Sequence, residues 1–189
     1  MATRHPKTYQ LKIGLMYTKP PIWRRILIAD SVSLPVFHQV IQTVMGWENY
    51  HLHQFRDGEV YYGIPDDFMS DTLDECRYKL NQLLKQEKDS IVYEYDFGDS
   101  WEHKITLEKV LPFDPADTLP RCIKGKGACP PEDVGGTVGY YGFLDAVHDP
   151  NHPEHEEMLE WIGGEFDPDD FDLDEVNALL SDHGRMGAP

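Results

Sequence analysis

The chain has 189 residues, of which 40% are hydrophobic, 12% aromatic and 27% charged. These proportions suit a folded domain that buries a core without disulfide or metal staples, and they exclude a disordered or low-complexity chain. The formal net charge of −17 opposes a general affinity for phosphate backbones, so nucleic acid is an unlikely partner.

The charge is uneven along the chain. Residues 1–50 carry six Lys/Arg against two acids, 51–110 seven against fourteen, and 111–189 four against eighteen. No run approaches the roughly 18 apolar residues of a membrane span, and MATRHPKTYQ lacks the apolar centre of a signal peptide, so a cytoplasmic protein with no membrane partner is expected. Cys76, Cys122 and Cys129 form an odd set, which favours reduced thiols.

Tyr9, Leu11, Ile13, Leu15 and Tyr17 recur with period two and predict a first strand. Pro20-Pro21 breaks it, and IWRRILIA restarts extended structure, giving a hairpin in which Arg24 and Arg25 read as solvated strand residues. From Ser33 the spacing becomes helical through Leu34, Phe37, Val40, Ile41 and Val44, and Gly46 closes the helix. HLHQFRDGEVYYG predicts a hairpin turned at Asp57-Gly58. A helix is then expected over about 72–86, with Cys76 on its core face. The next hairpin, IVYEYDFGDSWEHKITLEKVL, is expected to turn on Gly98-Asp99-Ser100, so that Phe97 faces Trp101, Tyr95 faces His103 and Glu94 meets Lys104.

Residues 111–137 hold five prolines and four glycines and read as a long Cys/Pro/Gly loop. Helices are expected at about 139–148, 153–162 and 173–181, the last opened by the capping box Asp172 to Glu175. The predicted architecture is one α+β domain over 1–183, with a frayed tail at 184–189. It is of the α/β-roll type: a mostly antiparallel sheet of hairpins, an N-terminal ββα unit, and short C-terminal helices in the 139–181 part.

Five phrases stand in order along the chain: PPIWRRI, MGWENYHLHQF, YDFGDSWEHKI, CPPEDVGGTVGY and FDPDDFDLDEVN. Together they resemble the Ri-plasmid ORF-three-like family over about Tyr9 to Leu180. That family includes insertion-element passenger proteins labelled transposon resolvase. The resemblance implies an α/β-roll type fold and an association with plasmids and mobile elements, without a reaction. The residues give the resolvase label no support. The chain has neither a serine nucleophile in an arginine-rich N-terminal setting nor an Arg, His and Tyr set in a basic domain.

Three segments offer metal-ligating side chains. His51 and His53 alternate on a strand, which allows two imidazoles about 7 Å apart to converge on one ion, or simply two hydrogen-bonded histidines. Asp96, Asp99, Glu102 and His103 surround the GDS tip, where carboxylates either cap backbone N–H groups or bind a hard cation. Cys122 and Cys129 are separated by six residues, wider than a zinc knuckle, so packing, a metal or thiol pairing all remain open. No cofactor is certain. A divalent metal, zinc foremost, is the group these residues would take.

Trp47, Tyr50, Trp101, Glu132 and Asp133 are the candidates for a partner surface, with Glu132 and Asp133 also suited to the first turn of a helix. The carboxylates from Glu154 to Glu175 form an acidic C-terminal face that fits a basic protein partner. Two functions follow. The first is an accessory or binding protein without catalysis; the second is a metal-dependent enzyme, most plausibly a hydrolase, in which the three segments converge. DNA binding through Arg24 and Arg25 is a distant third.

Overall fold

The alternating stretches become the strands of one sheet. The computed structural model describes residues 5–65 and 71–186, with 182–186 as backbone alone. In chain order the elements are β1 (Lys7–Leu15), β2 (Trp23–Ala29), α1 (Leu34–Met45), β3 (His53–Asp57), β4 (Val60–Gly63), β5 (Leu73–Asp74), a single 3-10 turn at Glu75–Arg77, α2 (Leu80–Leu83), β6 (Ser90–Tyr95), β7 (Trp101–Pro112), β8 (Arg121–Lys126), α3 (Gly136–His148), α4 (His155–Ile162) and α5 (Leu173–Met186). The sheet order is β5-β4-β3-β6-β7-β1-β2-β8. Every pairing is antiparallel except β4 with β5. The fold is α+β, with the N-terminal ββα unit and further hairpins in the places the alternation predicts. Among the described residues no helix is long and apolar enough to cross a membrane.

Period two puts Leu11, Ile13, Ile26, Ile28, Phe55, Tyr93, Ile105 and Leu107 on one face of the sheet, and all are buried there. The stripe Phe37, Val40, Ile41 and Val44 of α1 joins the same core. Each such side chain contributes about 1.5–3 kcal/mol on leaving water, which is what fixes the sheet's register against a one-residue slip.

The β6–β7 hairpin differs from expectation by two residues. Tyr93 faces His103 and Tyr95 faces Trp101, while Glu94 meets Glu102 and Val92 meets Lys104. The loop is Asp96 to Ser100 rather than three residues. Asp96 and Ser100 both adopt positive φ, and the Ser100 N–H donates to the Asp96 carbonyl at 2.6 Å. A two-residue shift keeps each side chain on its face, so periodicity alone does not detect it.

The helix expected over 72–86 is replaced by β5, the 3-10 turn and the one-turn α2. Cys76 is consequently exposed, not core. The Asp74 carboxylate accepts the Cys76 N–H at 3.0 Å and starts the tight turn locally. Within the segment read as loop, β7 runs on to Pro112 and β8 pairs with β2. The outer edge of β8 is covered by α5, whose Asn177 exchanges hydrogen bonds with the Cys122 backbone. Helix α5 continues to Met186, beyond the predicted end, and residues 187–189 lie outside the described ones.

Arg24 is not a solvated strand residue. It is 2% exposed, and its guanidinium donates to the carbonyls of Val44, Trp23 and Lys126 and lies over the Phe171 ring. Val44 belongs to the last turn of α1, whose carbonyls have no partner within the helix, so Arg24 caps α1 from the neighbouring strand and places positive charge at its negative end. Arg25 points outward and pairs with Glu108. Replacing Arg24 by Leu is therefore expected to cost about 2–4 kcal/mol in urea denaturation, since buried carbonyls lose their donor, whereas Arg25→Ala costs under about 1 kcal/mol.

Candidate functional site

The site forms where the β6–β7 tip, the α1–β3 connection and the segment before α3 meet. His53 begins β3 opposite Tyr95, so His51, two residues earlier, lies beside Asp96, the first residue past β6. The Asp96 N–H to Leu52 carbonyl bond at 2.9 Å holds this juxtaposition. Glu132 and Asp133 arrive from the third segment. The Glu132 carboxylate accepts the Glu48 N–H at 2.7 Å and the Tyr95 hydroxyl at 3.1 Å. The Asp99 carboxylate accepts the Gly135 N–H at 3.0 Å.

His51 Nε2 faces Asp133 Oδ1 at 3.2 Å and carboxylate oxygens of Asp96 and Glu132 at 3.7 Å each. The Nε2 atom and Glu132 Oε2 are both shielded from solvent and have no hydrogen-bond partner among the described residues. Potential ligand atoms of His51, Asp96 and Asp133 lie within 4.8 Å of one another, the metal-capable group among the described residues. Neighbouring donors on one bound ion sit about 3–3.5 Å apart at ordinary ligand distances, so the cluster is near coordination geometry. One imidazole with three carboxylates suits zinc, manganese or iron(II) better than the thiolate-loving soft ions.

The structure separates the other candidates from this cluster. His53 does not converge with His51: it is buried, its Nε2 is 3.0 Å from a Glu75 carboxylate oxygen, and its ring stacks on His38 with centroids 3.5 Å apart. Asp99 caps the approach to α3. His103 is fully buried between Tyr93 and Trp47. Because indole N–H only donates, Trp47 Nε1 at 3.3 Å makes His103 Nε2 the acceptor, which leaves Nδ1–H to face the Tyr93 carbonyl. Cys122 is buried under β8 with its sulfur against the Arg25 and Lys124 carbonyls. Cys129 packs at the end of α1 near Gly46, where burial raises its thiol well above the ordinary range. Neither thiol belongs to the metal-capable group, and both are free.

Of the partner-surface candidates, Trp47 and Trp101 are 6% and 1% exposed and form core, whereas Tyr50 is 72% exposed. Glu132 and Asp133 face His51 instead of opening a helix. Sequence reasoning missed Glu75 and His38, whose burial no local pattern announces, and Tyr95 as the residue that gathers the site.

Two of the buried imidazoles bear on stability. Burial lowers the His103 and His38 pKa values to about 4, with the charge of His53 adding to the effect at His38. Against an unfolded value of about 6.5, the unfolded chain binds protons that the native chain refuses once pH drops below about 6.5. The stabilisation is present above that pH and is lost as pH falls toward 4, at up to about 1.4 kcal/mol per pH unit for each ring. Urea denaturation between pH 7 and 4.5 should show this decline, and His103→Gln, which keeps an acceptor for Trp47, should remove about half of it, leaving the share of His38.

Comparison with known proteins places the chain in a family. A curated relative, the uncharacterized protein y4hQ of Sinorhizobium fredii (strain NBRC 101917 / NGR234), is 37% identical over 176 residues, spanning 92% of this chain and 90% of that protein. The crystal structure of a protein of unknown function, MM3350 from Methanosarcina mazei Go1, superposes with a TM-score of 0.83 at 36% identity, covering 92% of this chain and 99% of that one. Residues 7–175 match the description of the plasmid pRiA4b ORF-3-like proteins, and the chain belongs to that family.

Proposed function

We propose that the chain is a divalent-metal protein whose ion is held by His51, Asp96, Glu132 and Asp133. The observation that carries this reading is the shielded, unbonded Nε2 of His51 facing three carboxylates brought from two other segments. An imidazole enclosed by acids without a hydrogen bond is costly to bury, and an ion between them satisfies every atom at once. Three carboxylates and a neutral imidazole leave a two-plus ion with coordination positions for water. Such an ion would acidify a bound water relative to bulk water, so hydrolysis is the reaction class the site would serve.

Untagged protein decides the matter by elemental analysis and by titration with zinc and manganese. The expected result is about one ion per chain, and at least tenfold weaker binding in His51→Ala and in Asp96→Asn, by analogy with the loss on disturbing established metal shells. Absence of uptake by the wild type, or uptake indifferent to both substitutions, rejects the proposal.

The acidic C-terminal face supports a second, non-catalytic reading as a dock for a basic protein. Helix α4 buries none of its residues and carries Glu156, Glu157 and Glu160. Among the described residues, no carboxylate from Glu154 to Glu175 takes part in an ion pair. A basic partner is expected to bind with salt-sensitive affinity that charge reversal at Glu156, Glu157 and Glu160 lowers by about tenfold or more. Titration calorimetry in which the reversed protein binds as well as the wild type removes this reading.

A further inference from the structure

A cleft of about 330 Å³ opens between the 133–134 segment, α3 and α4, and Asp133 lines it as well as facing His51. The metal-capable cluster and the cleft therefore share a wall. The cleft owes its shape to two glycines of α3. A Cβ on Gly139 would lie 1.9 Å from the Val134 carbonyl oxygen, so the helix approaches that segment only because this position has no side chain. A Cβ on Gly142, which also lines the cleft, would meet nothing within 4 Å, so the missing side chain leaves open space.

The lining fixes the chemistry of an occupant. Phe143, Met158 and Trp161 supply apolar wall, with the Phe143 and Trp161 rings edge to face at 5.7 Å. Among the described residues the charged side chains in the lining are Asp133 and Glu154, both acids, and no Lys, Arg or His lines the cleft. The Glu154 carboxylate makes neither a hydrogen bond nor an ion pair among the described residues, although Glu154 stands at the start of α4. Trp161 remains 46% exposed and lines the same cleft as the unpaired Glu154 carboxylate, two turns away along α4. A free carboxylate at one end of a cleft recognises an organic cation by charge, while the aromatic and apolar walls accept its body.

We propose that this cleft binds a small primary amine with an aromatic or branched aliphatic body, its ammonium group at Glu154 and its body against Phe143 and Trp161. As the substrate pocket of a metal centre it rests on the reading above; as an amine site it stands on its own lining. In the metal-free protein an anionic ligand of the same shape meets two carboxylates and no compensating side-chain cation among the described lining residues.

The test uses untagged full-length protein, freed of metal by chelation, with phenethylamine and phenylacetate, which share a shape and differ in sign, followed by ligand-observed NMR. Phenethylamine is expected to saturate and to bind at least about tenfold more tightly than phenylacetate, and Glu154→Gln to cut that preference to under about threefold. Gly142→Leu, which fills the open space, should abolish saturable binding while the circular-dichroism melting curve shows an intact fold. Equal binding of the two probes, or phenethylamine binding unchanged in Gly142→Leu, overturns the inference. A protein that takes up phenethylamine but no zinc or manganese defeats the metal centre and sustains the amine cleft, and metal uptake without amine binding does the reverse.

Discussion

The hydroxyl of Tyr95 joins the connection after α1 to the segment before α3. It accepts the N–H groups of Tyr50 and His51 at 2.9 and 3.4 Å and donates to Glu132 at 3.1 Å, and that same Glu132 oxygen accepts the Glu48 N–H. The ring itself is fully buried, 5.3 Å from Trp47, at the last paired position of β6. Burial and the charge of Glu132 push its pKa up, so the group stays a phenol and keeps the proton it donates. A rigid strand end thus sets the height of two otherwise irregular segments, and both His51 and Glu132 inherit their positions from it.

Four histidines near this point show how surroundings assign one residue type to different tasks. His103 is dry, neutral and fixed in one tautomer by Trp47. His38 lies in a chain of donors: Gln42 donates to the Tyr93 hydroxyl, Tyr93 to His38 Nδ1, and His38 Nε2–H to the Asn49 side chain. Asn49 adopts positive φ just ahead of Tyr50 and His51, so a buried ring on α1 steadies the connection that carries His51. His53, stacked on His38, has Glu75 to itself. His51 alone combines partial exposure with an unbonded nitrogen, which is the combination a ligand requires.

The sheet was legible because alternation reports directly on which side of a strand is buried. Leu11 and Ile13 and the run Tyr93, Tyr95, His103, Ile105 identify their faces without help from neighbours. Register was less legible, because Asp96 and Ser100 both take left-handed conformations that no glycine advertised, and the loop grew by two residues. The 72–86 segment misled for a related reason. Leu73, Leu80, Leu83 and Leu84 have helical spacing, yet an Asp74 side chain competing for the Cys76 N–H starts a tight turn, and tertiary burial of Glu75 by His53 completes the break. Strand β8 was hidden because RCIKGK buries only Cys122 and draws its stability from β2 and Asn177. At the site, His51 and Asp96 were recognisable by type, but Glu132 and Asp133 looked like helix-start acids, and their meeting with His51 depends on contacts across more than 80 residues.

A site of three carboxylates around one imidazole conflicts with stability taken alone, since like charges about 4 Å apart repel by roughly 1 kcal/mol in water and several times that where solvent is thinned. The conflict is contained because the segments are fixed by bonds outside the cluster: Asp96 to Leu52, Asp99 to Gly135, and Glu132 to Glu48 and Tyr95. Asp133, whose side chain is 71% exposed, keeps much of its hydration. The geometry therefore does not wait for an ion to create it, unlike small metal domains that fold only when loaded. A cation at this cluster would meet donors already in place, and the repulsion that the backbone restrains would become attraction, an arrangement that favours binding with little reordering of the chain.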